Sequence, residues 1–246
     1  MNMREVNLEN PVAITRDIYW VGFSDAKAKL HCNPYLILDT EEVIVIDPGS
    51  IPQFPVVMRK IIDLVRPDQI THVVCTHQDP DGCGNLPVLE DVVGANKISV
   101  IGHMNSLRLI RHYGISSEIY PVEENNYELI LKSGRRLEFI FTPFLHSPGA
   151  IMVYDHKTKS LFSSDVFGAL SPENWHFFKT ENFPECMNQW HEMYMPSNKN
   201  LRQCMEKLET YDIARILPQH GSIIEDDQVQ VAIDHLKNLK CGADLL

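Results

Sequence analysis

The run His77-Gln78-Asp79-Pro80-Asp81 places one imidazole and two carboxylates at alternate positions. Alternate residues of an extended segment point to the same side, so all three side chains can enter one pocket. Carboxylates held that close repel, and a cation is the usual compensation. A second reading makes Asp79 and Asp81 caps of a helix that begins near Asn85, because aspartate is a favoured N-cap. Three more residues have a related setting. His77 ends the apolar run ITHVVCTH, His146 follows LEFIFTPFL and His220 follows ARILPQ; glycines come soon after each, at Gly82, Gly149 and Gly221. Asp165 ends KSLFSSD before VFG in the same manner. Polar residues that leave buried strands for glycine-containing loops are well placed for binding and chemistry.

These residues make a donor set of three imidazoles and three carboxylates with no thiolate. Catalytic zinc prefers histidine-rich tetrahedral sites, whereas mixed histidine and carboxylate sites with open positions suit iron or manganese. Six donors exceed what one ion needs when positions stay open. Two ions sharing a carboxylate use the set better, and iron is the favoured metal. The other histidines read as bystanders: His72 in an apolar strand, and His103, His112, His156 and His235 in surface helices or turns. The stretch from ENWHFFK to QWHEMYM is rich in aromatics and methionine, with Trp175, His176, Phe177, Phe178, Trp190, His191 and Tyr194. It reads as core packing, a cover over the site, or a face that pairs two copies into a homodimer. Cys83 stands two residues after Asp81 and reaches the edge of the pocket at most, without a basic neighbour to activate its thiol.

The elements that must position these side chains follow from periodicity. PYLILDT and VIVID read as strands joined by an acidic turn at Glu41 and Glu42, and ITHVVCTH as a buried strand. FPVVMRKIIDLV carries apolar residues at helical spacing, NLPVLEDVV reads as a short helix and SLRLIRHYG as a helix closed by Gly114. ISVIGH is a further strand. Hairpins are expected around Ser133-Gly134 and between His156 and Lys159. A helical region over 185–210 should break at Pro196, and ARILPQHG and DDQVQVAIDHLKNLK supply a last strand and helix. Strands and helices mix in both halves and hairpins outnumber crossovers. The expected architecture is an α/β (α+β) four-layer αββα sandwich of two mixed sheets, as one domain over 1–246.

Composition narrows the function. The 246 residues carry a net charge of −11, which argues against nucleic acid as a partner. No apolar run approaches the ~20 residues of a membrane span, and charges interrupt the first twenty residues as no export signal allows. The six cysteines form no C-x-x-C pair, so the expected location is a reducing cytoplasm. Neither G-x-G-x-x-G nor G-x-x-x-x-G-K occurs, which leaves nucleotide binding without support.

H-x-D-x-D at 77–81, then His146, Asp165 and His220 in that order, resemble the metallo-β-lactamase fold, and more closely the diiron domain of the flavodiiron proteins. DIYWVGFSD at 17–25, TPFLHSPGAIMVYD at 142–155, LFSSDVFG at 161–168 and ILPQHG at 216–221 are similar to that family, and the likeness runs over about 10–240. The resemblance implies that His77, Asp79 and His146 hold one iron, that Asp81 and His220 hold a second, and that Asp165 bridges them. Two positions depart from the pattern. Asp79 stands where the family usually has glutamate, and Gly82 where it places a histidine on the second iron. That iron is then short of a ligand, and His31 is a candidate to approach it. An open ferrous position suits dioxygen or nitric oxide. The family's electrons arrive through a flavin domain after the diiron domain, whereas this sequence ends at Leu246, so no FMN is expected on it. The resemblance therefore extends to stand-alone oxygen-binding diiron proteins that report oxygen to a chemotaxis signalling protein. The alternatives are a dioxygen or nitric oxide reductase fed by a separate donor, and a zinc hydrolase of the same fold.

Overall fold

β-Branched and aromatic runs in the first third build most of one sheet. β1 (Val12–Ala13), β2 (Ile18–Trp20), β3 (Tyr35–Leu38) and β4 (Val43–Ile46) pair antiparallel in turn. β5 (Ile70–Val74), β6 (Ser99–Gly102) and β7 (Glu118–Pro121) extend it in parallel, giving the seven-stranded order β1 to β7. Parallel neighbours need crossovers. These come from α1 (Phe54–Ile62), then α2 (Pro80–Cys83) with α3 (Leu86–Val93), and then α4 (Met104–Ile110). The computed structural model describes residues 6–23, 29–30, 32–94, 98–171, 177 and 182–246. His31, Trp175, His176 and Phe178 lie outside them.

The second sheet has six strands in the order β13-β12-β11-β10-β9-β8. They are β8 (Glu128–Ile130), β9 (Arg136–Phe141), β10 (Ile151–Asp155), β11 (Ser160–Phe162), β12 (Arg215–Leu217) and β13 (Ile224–Glu225). The two expected hairpins are β8–β9 and β10–β11, and β11 pairs β12 in parallel. The helical region breaks at Pro196 as its missing N–H requires: α5 (Asn188–Tyr194) ends before it and α6 (Asn198–Leu208) starts after it. α7 (Gln228–Asn238) closes the fold.

Three apolar clusters define four layers. Ile18, Tyr35, Ile44 and Val74 of the first sheet meet Phe139, Val153, Phe162 and Leu217 of the second in a shared inner core. Outside the first sheet, Val57 and Ile61 of α1, Leu89 of α3 and Leu107 of α4 cover Val45 and Val73. Outside the second, Leu201 and Met205 of α6 and Ala232 and Ile233 of α7 cover Met152 and Ile216. β4 and β10 are buried along their whole length, which explains why their sequences are apolar runs and not alternations. One end of the sandwich is clamped by charge. Arg135, in the β8–β9 turn, gives two hydrogen bonds to Asp155 at 2.6 and 3.0 Å and one to Asp17 at 2.9 Å. Asp155 belongs to the second sheet and Asp17 precedes β2 of the first, so the buried guanidinium ties the sheets together. The opposite end of β10 faces the site: the Ile151 N–H donates to Thr76 O at 2.9 Å, joining the sheets beside His77.

Candidate metal centre

Four strands end at one edge of the sandwich, and each delivers a polar residue a few positions later. His77 follows β5, His146 follows β9, Asp165 follows β11 and His220 follows β12. His77, Asp165 and His220 are at most 2% exposed and form the floor, while Asp79, Asp81 and His146 stand at the rim. The capping alternative fails. Asp79 occupies the N-cap position of α2 and Asn85 that of α3, yet among the described residues neither side chain caps its helix. Both aspartates turn towards histidines instead.

Asp165 divides the cluster. Its Oδ2 lies 2.5 Å from His146 Nε2 and 3.5 Å from His77 Nε2, while its Oδ1 lies 3.4 Å from His220 Nε2. On the first side Asp79 Oδ2 is 3.5 Å from His146 Nε2 and 3.9 Å from His77 Nε2. On the second side Asp81 Oδ2 is 3.2 Å from His220 Nε2. Two groups have donor atoms within 4.8 Å of one another: His77, Asp79 and His146, and then Cys32, Asp81 and His220. All six sequence-derived residues are thus brought together, and one that the sequence did not single out, Cys32, joins them.

The electrostatics show what the pocket can hold. Burial would raise the Asp165 carboxyl, but the charge of His77 and hydrogen bonds from His146 and His220 hold it well below its ordinary value. Burial opposes protons on the imidazoles, yet bonds to Asp165 raise His146, and bonds to Asp165, Asp81 and Cys32 raise His220 well above its usual value. Burial pushes the Cys32 thiol up, against the hydrogen bond from His220. Protons on these imidazoles offset the three carboxylates, a role a bound cation fills equally well. His77 Nε2 is the sharpest test of fit. It is buried, faces the cluster and has no hydrogen-bond partner among the described residues, a costly state that a metal ion removes.

Surrounding residues orient the ligating atoms. The Thr76 N–H and hydroxyl both donate to Asp47 at 2.8 Å, and Thr76 and Ser164 each place Oγ 3.3 Å from His77 Nδ1. Holding Nδ1 aims Nε2 into the pocket. Burial raises Asp47 to about 6. Gln78 donates to Asp79 Oδ1 at 2.8 Å and accepts from Ser147, next to His146, so it joins the two loops. Trp190 of α5 donates to Asp165 O at 2.9 Å and lies against His220 with ring centroids 4.8 Å apart; Tyr194 approaches His146 at 6.1 Å. Trp190 and Phe177 are buried: Trp190 covers the His220 side of the centre, while Phe177 packs on Trp20 in the inner core. His191 is equally buried.

Gly82 leaves no void. A Cβ there would sit 2.5 Å from the Gln219 amide. Oriented to satisfy both its atoms, that amide donates to Asp165 Oδ1 and accepts from the Gly82 N–H, each at 3.2 Å. Gln219 was not foreseen; its adjacency to His220 was the one available signal. Cys83 points away from the donors. Its thiol donates to Asp79 O at 3.2 Å and is packed in the outer core of the first sheet with Cys75. His72 is held by Thr71 at 2.8 Å and stays apart. Gly221 has φ +86°, the left-handed turn that follows His220 and that glycine adopts without strain.

A four-layer sandwich with histidines and carboxylates gathered at its strand ends is a metallo-β-lactamase-like protein built as the flavodiiron cores are. Residues 30–221 match the model described as ODP family beta lactamase, and the chain belongs to that family. It is similar to a structure described as a peroxy diiron species of chemotaxis sensor ODP, with 27% identity, a TM-score of 0.81 and coverage of 96% of this chain and 97% of that one. The apo state of the chemotaxis sensor ODP from T. denticola matches at 26% identity with a TM-score of 0.81, over 95% of each chain. A nitric oxide reductase of Moorella thermoacetica is 25% identical over 89% of this chain and 59% of its own length. The chain spans between a third and rather more than half of the length of the first curated relatives it matches. No helix of the described residues is long and apolar enough to cross a membrane.

Proposed function

We propose that this chain holds two iron ions and binds dioxygen as a sensor in the cytoplasm. His77, Asp79 and His146 hold one ion, Asp81 and His220 the other, and Asp165 bridges them. The observation that carries this reading is the division of Asp165, whose two oxygens face separate histidine and carboxylate groups while His77 Nε2 lies buried without a partner among the described residues. Two ferrous ions supply the electrons and the open position that dioxygen requires. The protein's own part is positional. Thr76 and Ser164 orient His77, Gln78 ties the Asp79 loop to the His146 loop, and Trp190 walls His220 from solvent.

The sensing role is supported by the likeness to the chemotaxis sensor along nearly its whole length. A sensor must present different surfaces with and without its ligand. α5 is the element placed to do so, because Trp190 holds Asp165 O while Met193 and Tyr194 of the same helix are exposed. The partner is a chemotaxis signalling protein. A second reading, reduction of dioxygen or nitric oxide with a separate electron donor, is favoured by the nitric oxide reductase relatives.

One experiment separates them. Metal content is measured, the protein is reduced, and oxygen is added while absorbance is followed, with and without an NADH-linked donor chain. About two irons per chain and a persistent oxygen-dependent band support sensing. Sustained oxygen or nitric oxide consumption with the donor supports reduction. Zinc alone, with thioester or lactam hydrolysis, overturns the diiron reading in favour of a hydrolase.

A further inference from the structure

The second half of the centre has a neighbour from far along the chain. Cys32 is 3% exposed and sits with Asp81 and His220 in a trio whose donor atoms lie within 4.8 Å of one another. Its place is built by the fold. The Asn33 N–H donates to Gln219 O at 2.7 Å, and the Asn33 amide donates to Pro218 O and Gly221 O, both at 3.0 Å. Trp20 Nε1 fixes Asn33 Oδ1 at 2.9 Å, and the Tyr35 hydroxyl donates to Pro218 O at 2.8 Å. Four hydrogen bonds thus join the segment 32–35 to the loop that carries His220. They hold the thiol beside the His220 imidazole. Cys32 is the only cysteine in either donor group among the described residues.

We propose that Cys32 binds the second metal ion as a thiolate, beside Asp81, His220 and Asp165. The inference rests on the two-metal reading and adds a ligand to it. Gly82 offers that ion no side chain, and Gln219 fills the space a side chain would use; the thiolate enters from elsewhere in the fold. Charge supports the assignment. Two divalent ions bring four positive charges, and Asp79, Asp81 and Asp165 cancel three. A thiolate cancels the fourth, whereas an imidazole leaves the buried centre charged, and buried charge is costly unless paired. On binding, the S–H bond breaks, the sulfur–metal bond forms and the proton leaves to solvent, with no change of oxidation state.

The test loads the full chain with zinc, counts metal by mass spectrometry and records the zinc X-ray absorption edge. The expected result is two zinc ions per chain. A sulfur shell at about 2.3 Å should accompany nitrogen and oxygen at about 2.0–2.2 Å, with one sulfur for every two ions. The shell should vanish in Cys32→Ser and persist in Cys83→Ser. If Cys32→Ser does not fold, the wild-type spectrum still decides, because no other cysteine belongs to either donor group among the described residues. Two ions without a sulfur shell, or a shell that survives in Cys32→Ser, overturns the thiolate ligand and leaves the two-metal reading standing. Fewer than one ion per chain overturns both.

Discussion

Gly82 and Gln219 share one place: the side chain that position 82 lacks would stand 2.5 Å from the Gln219 amide, which instead bridges the Gly82 N–H and Asp165 Oδ1. The amide is the far end of a flexible chain, so it can be displaced. Gly82→His should push it aside and add an imidazole to the Asp81 side of the centre. The lifetime of the oxygen-dependent absorbance should then fall on the order of tenfold, equivalent to about 1.4 kcal/mol of barrier. Stopped-flow decay of that band checks this, and an unchanged lifetime would show that position 82 does not govern the open site.

Removing Asp165 should empty both halves, because one of its oxygens faces each. Asp165→Ala is expected to reduce bound metal from about two ions to near zero by elemental analysis. Metal in excess should no longer stabilise the variant, whereas a ligand at a hundred times its dissociation constant stabilises a native state by about 2.7 kcal/mol. Thermal melts with and without added ferrous iron report the difference.

Ser164 acts through His77. Its Oγ lies 3.3 Å from Nδ1, and Ser164→Ala leaves Thr76 as the remaining hydroxyl there. Metal affinity should weaken by roughly ten- to a hundredfold, the usual cost of losing a group that orients a ligating histidine. Competition with a chelator of known affinity measures it; unchanged affinity would show that Thr76 alone sets the ring.

His191 should make the protein acid-sensitive independently of metal. It is fully buried, with Nδ1 donating to Met187 O at 2.7 Å and Nε2 accepting from the Phe167 N–H at 3.0 Å, so both nitrogens serve the neutral ring. Burial lowers it from 6.5 to about 4. Between those values the unfolded chain binds the extra proton, so stability is fully present above about 6.5 and is lost as pH falls through 4. The loss amounts to about 3 kcal/mol. Urea unfolding of the metal-free protein from pH 7 to 4 should show it, and His191→Gln should remove that part of the slope.

The clamp at the far end is a stability device. Asp155 is fully buried and receives two of the three guanidinium bonds of Arg135, the third going to Asp17. Asp155→Ala leaves that guanidinium with Asp17 as its remaining hydrogen-bond partner and should cost about 3 kcal/mol, read by denaturant midpoint, while metal content per folded chain stays at the wild-type value.

Much of the scaffold was legible because its signals are local. Buried strands such as VIVI and IMVYD show as apolar runs, α1 and α7 show helical spacing, and Pro196 cannot donate an N–H within a helix. β7 and β13 escaped notice because EIYP and IE are short edge segments without alternation. The aromatic stretch stayed divided between cover and interface, since the sequence cannot say which face of α5 turns inward.

The sequence by itself determined that six histidine and aspartate side chains stand in loops after apolar strands, and hence that they can gather at one edge of the sandwich. Only the tertiary structure decided how they divide: which oxygen of Asp165 faces which histidine, that Gln219 takes the room beside Gly82, and that Cys32 arrives beside His220. The physical reason is distance along the chain. Strand ends and turns are written in neighbouring residues, but the Asn33 bonds that seat Cys32 cross more than 180 positions. No local pattern encodes a contact that exists only once two sheets have closed on a common core.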